Sequence, residues 1–355
     1  RTVPGRTTSG QRFDTSPFES NTLAATVERL IARGYEVELV TPGQFRTMPL
    51  PGYSEIRLAM APRFSARRML DGFAPDIVHI ATEGPIGWSA RGWCKARGVP
   101  FTTAFHTRFP EYAAVRTGIS AERFWPIMRR FHQASRAVMV ATPSLAAELA
   151  GRGIGHTRRW SRGIESWLFC PGGETLADLA NLPRPILLNV GRVSPEKNLS
   201  AFFELKTAGT KLVVGDGPAL DALRDRFPDA LFLGQQQGKK LAACYAGADV
   251  LVFPSRTDTF GLVMIEALAC GVPVAGYSVA GPLDVVGKNG CGPFDTLARS
   301  IGVVDDELSS AIGRALMVRR DDAAAYGRSF DWDRSTDQFF SALEWALGKG
   351  RQNAA

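Results

Sequence analysis

Short apolar runs rich in Val, Ile and Leu alternate along the chain with stretches of helical periodicity. This alternation is typical of parallel sheets whose strands are joined by crossover helices. In the first half we predict strands at 37–40, 77–81, 101–105 and 138–141, and helices at 23–33, 86–97, 121–132 and 145–152. This part of the chain is therefore predicted to form one Rossmann-like domain.

A second series of apolar runs follows a stretch with Gly and Pro at 170–185. It predicts strands at 186–190, 212–214, 231–233, 250–253 and 273–275, and a last helix at 336–347. We expect an irregular or disordered amino terminus (1–20), a first Rossmann-like domain (21–165), a second (166–325) and a helix crossing back (326–350). The predicted class is α/β with two Rossmann-like domains.

The composition is that of a globular protein, with 45% hydrophobic and 22% charged residues in 355. We find neither a signal peptide nor an apolar run near the roughly 20 residues of a membrane-spanning helix, so a cytoplasmic location is expected. The five cysteines lack metal-ligand spacing and suggest neither a disulfide framework nor a zinc site.

Positive charge is concentrated in the first half of the chain. Residues 1–180 contain 23 Lys and Arg against 15 Asp and Glu, whereas the remainder contains 19 against 20. A basic domain attracts anionic surfaces over long range, so peripheral contact with an anionic membrane, or with a charged acceptor, is one interpretation. A solvated basic face is the other. We expect no nucleic acid partner.

Two loops follow predicted strands of the second domain, where open parallel sheets bind ligands. The segment 191–198 reads GRVSPEKN, in which Gly191 permits close approach to the backbone and Arg192 and Lys197 supply cations for a diphosphate. The segment 254–262 leads into a helix with Asp258 and Glu266 as carboxylates that suit sugar and ribose hydroxyls. Taken singly, each segment is also compatible with a solvated surface loop.

Two weaker signals follow other predicted strands. His106 comes directly after the strand at 101–105, where it could hydrogen-bond a sugar hydroxyl or a phosphate. The turn at 215–218 reads GDGP and follows the strand at 212–214. Each also has an ordinary structural interpretation, as a core histidine and as a strand-to-helix turn.

Taken together and in this order, the motifs resemble the family-four group of GT-B glycosyltransferases, which includes bacterial mannosyltransferases and sulfolipid and glycolipid synthases. The resemblance covers residues 21–345. Asp258 to Glu266 is similar to the family's E-x7-E motif with Asp in the first position, and the segments 191–198, 215–218 and 162–165 also match.

The resemblance implies an acceptor-binding first domain and a donor-binding second domain facing a central cleft. It implies transfer from a UDP- or GDP-sugar to a lipid or glycan acceptor, with retention of configuration and without a metal or other cofactor. The DWD sequence at 331–333 is interpreted as the start of the last helix rather than a metal site.

The family's roles carry over by matching position. The implied catalytic residues are His106, Asp258 and Glu266. The implied donor-binding residues are Gly191, Arg192, Lys197, Gly215, Asp216, Gly217, Thr259, Phe260, Gly261 and Leu262.

The sequence departs from the family pattern in two places. The family's first strand and Gly-rich loop are expected before the helix at 23–33, but residues 1–20 contain neither. Asp258 is also one methylene shorter than the usual Glu. A nucleotide-sugar-binding protein without catalysis, or an epimerase on the same scaffold, therefore stays an alternative. A dehydrogenase is disfavoured because no G-x-G-x-x-G follows an early strand.

Overall fold

The computed structural model describes residues 17–348 except 51–52, 107–108, 259 and 294–295. The chain divides into two compact units. The first unit ends at Ser161 and resumes at Trp332, and the second spans Arg162–Asp331. Both units alternate strands with helices around parallel sheets, which confirms the predicted α/β class.

The regular elements of the described residues are numbered in chain order. The strands are β1 (Thr47–Leu50), β2 (Tyr53–Ala59), β3 (Val78–Ile80), β4 (Phe101–Ala104), β5 (Ala137–Val140), β6 (Thr157–Arg159), β7 (Ile186–Val190), β8 (Thr210–Val214), β9 (Leu231–Phe232), β10 (Val250–Phe253), β11 (Val274–Tyr277) and β12 (Gly302–Asp305). The α-helices are α1 (Pro17–Ala32), α2 (Arg63–Phe73), α3 (Pro85–Arg97), α4 (Phe109–Thr117), α5 (Trp125–His132), α6 (Pro143–Gly151), α7 (Ala177–Ala180), α8 (Leu199–Phe203), α9 (Leu220–Arg226), α10 (Gly238–Gly247), α11 (Leu262–Ala269), α12 (Ala280–Val285), α13 (Leu308–Ala315), α14 (Arg320–Gly327) and α15 (Trp332–Ala346).

The first unit is built on a four-stranded parallel sheet in the order β3, β4, β5, β6. The last helix, α15, packs on β4, β5 and β6 and against α1. Met139, Trp160 and Phe339 are core residues of this layer. A separate antiparallel hairpin, β1 and β2, precedes the sheet. The predicted last helix therefore exists and completes the first unit, while residues 326–331 belong to the second.

Local sequence explains where the sheet's helices begin. At α6, the apolar strand β5 gives way to Thr142, whose side-chain oxygen accepts a hydrogen bond from the Leu145 backbone N–H at 3.3 Å. Pro143 occupies the first helical turn, where its missing N–H costs nothing. The N-cap and the proline together begin the helix directly at the sheet's carboxyl edge.

Two expectations for the amino-terminal region are wrong. The segment 37–40 forms no strand, although Val37 packs against the core around Trp160 and Phe339. Apolar alternation alone does not make a strand, and no neighbouring described strand supplies backbone partners to this segment. Residues 17–20, expected to be irregular, begin α1, and residues 1–16 lie outside the described residues.

The second unit contains a six-stranded parallel sheet in the order β12, β11, β10, β7, β8, β9. The chain adds β8 and β9 on one side of β7 and then returns to place β10 on the other side. The order therefore reverses between β7 and β10. Such a reversal leaves a crevice at the strands' carboxyl ends, because the connections leave in opposite directions.

Helix α11 is fixed in this unit by close contact with α14. At the contact, a Cβ added to Gly327 would overlap the backbone nitrogen of Ala269. Ala269 and Leu268 are fully buried, so the backbone has no room to yield. Glycine at 327 thus allows the two helix backbones to meet.

We expect Gly327→Ala to destabilise the protein by about 1–3 kcal/mol, the range for overpacking a filled core. Gly313→Ala is the matched control, because Gly313 is a helical glycine of the same unit with no atom within 4 Å of an added Cβ. It should be neutral or stabilising by about 0.5–1 kcal/mol. Urea unfolding followed by circular dichroism measures both, and equal midpoints for the two variants would contradict the packing argument.

Candidate functional site

The two motif loops of the second unit follow adjacent strands at the reversal of the sheet. Strands β7 and β10 pair in parallel through Leu187↔Val250 and Leu188↔Leu251. Their carboxyl ends therefore lie at the same edge, and the segments 191–198 and 254–261 leave from it. The structure thus brings together two segments that are about 60 residues apart in sequence.

The loop after β7 offers an open backbone and one exposed cation. Gly191 has φ +148° and no atom within 4 Å of an added Cβ, so the space beside it is empty of protein. Arg192 is exposed and makes no hydrogen bond or ion pair with a described residue. Its guanidinium is available to an anion, since no carboxylate of the described residues occupies it.

Two of the predicted donor-binding glycines, Gly215 and Gly217, have a structural task. A Cβ on Gly215 would overlap the carbonyl oxygen of Gly191, and one on Gly217 would overlap that of Val193. Two backbone hydrogen bonds join the loop after β7 to the end of β8 and the loop that follows it. The Gly191 N–H donates to the Val214 carbonyl (3.0 Å), and the Val193 N–H donates to the Asp216 carbonyl (2.9 Å). The glycines therefore hold the Gly191 loop in place.

Asp216, the third predicted donor-binding residue of that turn, is exposed, and its side chain makes a hydrogen bond within its own loop. One oxygen of its carboxylate accepts a hydrogen bond from the backbone N–H of Gly217 at 2.7 Å. This is a local turn contact of the kind that Asp commonly makes. Among described residues the side chain reaches none of the other predicted site residues.

Lys197 and Asp258 meet directly and join the two loops. The Lys197 Nζ lies 2.6 Å from Asp258 Oδ1, and about a quarter of each side chain is exposed. A second link forms next to it, where the Asn198 side-chain amide donates to the Pro254 carbonyl at 3.1 Å. Asn198 adopts φ +55°, a left-handed conformation that Asn tolerates, and so turns its side chain toward that loop.

The second oxygen of Asp258 is buried and has no hydrogen-bond partner among the residues that the structure describes. An unpaired buried carboxylate oxygen is costly unless a ligand or water completes it. Because a carboxylate only accepts, the missing partner must be a donor such as a hydroxyl or an N–H group.

The loop then turns into α11 through Gly261. Gly261 has φ +78° and precedes the helix, where an added Cβ would press on Met264 and on the ring of Phe253. Phe260 is buried and its ring contacts the ring of Phe330, so its side chain anchors the loop in the core. Leu262 is the first residue of α11 and is half-buried, while Thr259 lies outside the described residues.

Glu266 lies on the second turn of α11 and is held by a tyrosine. The Tyr245 hydroxyl, fully buried on α10, donates to Glu266 Oε2 at 2.8 Å. Burial raises the pKa of the Glu266 carboxyl, and the hydrogen bond from Tyr245 opposes that rise. Burial and the neighbouring carboxylate raise the pKa of Tyr245 well above its usual value, so its hydroxyl stays a donor.

His106 belongs to the first unit, where it follows β4 by two residues. Its ring is half-buried and lies edge-on to Trp160, with 5.1 Å between ring centroids. His106 therefore lies at the carboxyl edge of the first unit's sheet, as the sequence predicts. All other predicted site residues belong to the second unit.

Sequence reasoning missed Tyr245 and the linking role of Asn198. Asn198 is the last residue of the segment 191–198, but only the fold shows that its side-chain amide donates to the Pro254 carbonyl. No sequence motif marks Tyr245 as a site residue, because a tyrosine on an apolar helix usually serves only in packing. Among the described residues no group of three or more His, Cys, Asp or Glu is arranged to hold a metal ion. Nor is any described helix long and apolar enough to cross a bilayer.

Two family models match successive parts of the chain. The model described as Glycosyltransferase Family 4 matches residues 20–168. The model described as Glycosyl transferases group 1 matches residues 184–316, which contain the loops around Lys197, Asp258 and Glu266.

Similar proteins of known sequence come from bacteria and a plant. The GDP-mannose-dependent alpha-mannosyltransferase of Mycobacterium tuberculosis (strain CDC 1551 / Oshkosh) is 28% identical over 363 residues, which cover 95% of each chain. The sulfoquinovosyl transferase SQD2 of Arabidopsis thaliana is 29% identical over 330 residues, covering 84% of this chain and 63% of that protein.

Similar solved structures share the architecture at low identity. Sucrose-phosphate synthase from Thermosynechococcus elongatus has a TM-score of 0.66 at 22% identity and covers 94% of each chain. Anabaena Alr3699/HepE in complex with UDP-glucose has a TM-score of 0.64 at 16% identity, covering 94% of this chain and 98% of its own.

Proposed function

Since the chain belongs to the family-four glycosyltransferases and has the GT-B fold, we propose that it is a retaining hexosyltransferase. It uses a nucleotide sugar, and we propose transfer from a UDP- or GDP-sugar to a lipid or glycan acceptor. The observation that carries the proposal is the Lys197–Asp258 pair at 2.6 Å. This pair joins the two loops at the sheet's reversal, where a nucleotide sugar would bind.

The donor diphosphate would be bound by the cations of the β7 loop. Arg192 is exposed and unpaired among described residues, and Lys197 keeps two N–H groups beyond the one directed at Asp258. Gly191 leaves the backbone beside them accessible. Together these groups would stabilise the negative charge that grows on the leaving nucleoside diphosphate.

The two carboxylates would bind the hydroxyl groups of the donor. Asp258 has one buried oxygen that no described residue contacts by a hydrogen bond, and a hydroxyl of the sugar would supply that bond. Glu266 is fixed by Tyr245 through one oxygen, and we assign its other oxygen to the ribose. These assignments follow the family's pattern and agree with the chemistry, because a carboxylate accepts from hydroxyls.

We propose that the reaction retains anomeric configuration and needs no metal. The acceptor oxygen would bond to the anomeric carbon on the face from which the nucleoside diphosphate departs. The bond to the phosphate oxygen breaks, and the departing phosphate takes the proton of the acceptor hydroxyl. The charge of Arg192 and Lys197 serves the role that a divalent cation serves elsewhere. His106, at the carboxyl edge of the first unit's sheet, would hydrogen-bond a sugar hydroxyl.

GDP-mannose is the donor to test first. The Mycobacterium tuberculosis relative named for that donor covers 95% of this chain, whereas HepE, solved with UDP-glucose, is similar at 16% identity. A UDP-sugar is the second candidate. Base selection depends on loop shape, so both nucleoside diphosphates belong in the first titration.

A surface of the first unit suits an anionic membrane. We call it the Phe64 patch: the apolar side chains Met48, Met60 and Phe64 with Arg46, Arg63 and Arg68, all exposed. Phe64 is 82% exposed. Exposed apolar and arginine side chains that lie close together in sequence suit a bilayer whose headgroups are negative, so we propose that the enzyme binds the cytoplasmic leaflet here and takes a lipid acceptor.

Calorimetric titration with UDP and with GDP, in excess chelator, tests the donor site. We expect saturable binding of one nucleoside diphosphate and a tenfold to roughly hundredfold loss in Arg192→Met, because a charge-assisted contact is lost. Lys239→Met is the control, since Lys239 is exposed on α10 of the same unit. Binding of neither ligand, or binding only with added metal, would contradict the proposal.

Tyr245→Phe tests whether Glu266 binds ribose. Loss of the hydroxyl frees the carboxylate, and we expect about five- to twentyfold weaker binding of the nucleoside diphosphate. The 2′,3′-dideoxy analogue should bind both forms equally. Tyr326→Phe is the matched control, because its hydroxyl donates to the Val285 carbonyl. Equal losses for ribose and dideoxyribose ligands would show a structural effect instead.

Co-sedimentation with vesicles tests the Phe64 patch. We expect binding to phosphatidylglycerol vesicles, weakened by salt and about thirtyfold weaker in Arg63→Ser/Arg68→Ser, at about 1 kcal/mol for each basic residue. Phe64→Ser should also weaken binding. Met317→Ser is the control, because Met317 is 84% exposed in the second unit. Equal binding to phosphatidylcholine vesicles, or no binding to either kind of vesicle, would contradict the proposal that the Phe64 patch binds an anionic membrane.

A further inference from the structure

A second carboxylate of the first unit lies at the edge of the sheet that carries His106. Glu83 follows β3 by three residues, just as His106 follows the registered position Thr103 of β4 by three. The two strands are adjacent and parallel, so both residues leave the sheet at its carboxyl edge. The sequence motifs did not single out Glu83.

Glu83 accepts a hydrogen bond from a buried histidine. His132 Nε2 lies 3.1 Å from Glu83 Oε1, and its other ring nitrogen lies 2.9 Å from the Thr103 hydroxyl. The His132 side chain has no exposed surface, and Glu83 is 13% exposed. Because a carboxylate only accepts, Nε2 must carry the hydrogen of this contact.

The ring of His132 is packed against two aromatic rings. Its ring lies edge-on to Phe131 at 5.1 Å and tilted against Phe105 at 5.7 Å between centroids. Phe105 is the residue before His106, so one packed group supports both His106 and the partner of Glu83. The backbone of this helix end is held by Arg91, which donates to the carbonyls of Arg130 and Phe131.

The loop that carries Glu83 is equally constrained. A Cβ added to Gly87 would overlap the Thr82 carbonyl oxygen and lie 3.3 Å from the Phe131 ring. The loop before α3 therefore lies directly on the helix that follows it. Such close contact leaves Glu83 little freedom to withdraw from the sheet edge.

We propose that Glu83 binds a hydroxyl group of the acceptor and that His132 is its positioning residue. The inference rests on the proposed transferase function and deepens it. A carboxylate shielded from water on most of its surface, yet open at a sheet's carboxyl edge, is a strong acceptor for a polyol or sugar hydroxyl. The opening would also lower the desolvation cost of a purely structural pair, so the acceptor KM distinguishes the two roles.

The binding is to a hydroxyl and no covalent step is involved. Glu83 accepts a hydrogen bond through the oxygen or lone pair that His132 does not use, and so orients the acceptor before transfer. A single positioned ion of this kind discriminates strongly against an analogue that lacks the hydroxyl, because the buried carboxylate would then be left unpaired. The acceptor class is therefore a polyol or glycoside headgroup, soluble or carried by a lipid.

The test measures transfer from radiolabelled GDP-mannose and UDP-glucose to three probes. They are octyl α-D-mannopyranoside, D-inositol 3-phosphate and dioleoylglycerol in phosphatidylglycerol vesicles. Glu83→Gln keeps an oxygen that can accept from His132, and Glu83→Asp keeps the charge but shortens its reach. Glu122→Gln is the matched control, since Glu122 is an exposed glutamate of the same unit paired with Arg152.

We expect Glu83→Gln and Glu83→Asp to raise the acceptor KM about tenfold or more, the loss for a hydrogen bond to a charged group. Binding of the nucleoside diphosphate should be unchanged, and the control should behave as wild type. His132→Gln should raise the same KM, and its effect should not add to that of Glu83→Gln because the residues act as one unit.

The outcomes separate the inference from the function on which it rests. Wild-type transfer with an unchanged acceptor KM in both Glu83 variants overturns the role of Glu83 and leaves the transferase function standing. A lowered melting temperature with unchanged KM has the same meaning, since it marks a structural pair. If the wild type binds its nucleoside diphosphate but transfers to none of the probes, the proposed acceptor classes fail, and the inference fails with them.

Discussion

The adjacency of β7 and β10 is the constraint on which the candidate site of the second unit depends. Because these strands are adjacent and parallel, the loops that follow them leave the same edge of the sheet, although about 60 residues separate them in sequence. The Lys197–Asp258 ion pair and the Asn198 amide then join the loops at 2.6 and 3.1 Å. If β7 and β10 were not neighbours, the Lys197 and Asp258 side chains would not be brought within contact distance.

Glycines and buried aromatic residues support the candidate site through close packing. Gly215 and Gly217 let the β8 loop lie on the β7 loop, and Gly327 lets α14 lie on the backbone of α11. Tyr245 approaches α11 from the buried side and fixes Glu266. Rigid support of this kind matters in a transferase, because a group displaced by an ångström loses most of its effect on the transition state.

The first unit uses buried polar residues in a comparable way. His132 spans Thr103 and Glu83, and His79 contacts Thr102 at 2.9 Å while its ring packs on Trp160 and Phe339. Burial lowers the pKa of His79 to about 3, so that ring is neutral and serves packing. The two histidines differ in their partners, because His132 contacts a carboxylate whereas the side-chain partner of His79 is the neutral hydroxyl of Thr102.

The sequence alone determined the α/β class, nearly all of the strands it proposed and the motif loops, because apolar periodicity and Gly-rich turns are local properties. It also placed Lys197, Asp258 and Glu266 correctly at strand ends or on the following helix. Only the tertiary structure decided that Lys197 pairs with Asp258, that Tyr245 fixes Glu266, that Gly215 serves packing, and that 37–40 forms no strand. Those outcomes depend on which strands become neighbours, and strand pairing is a long-range property that no short window of sequence contains.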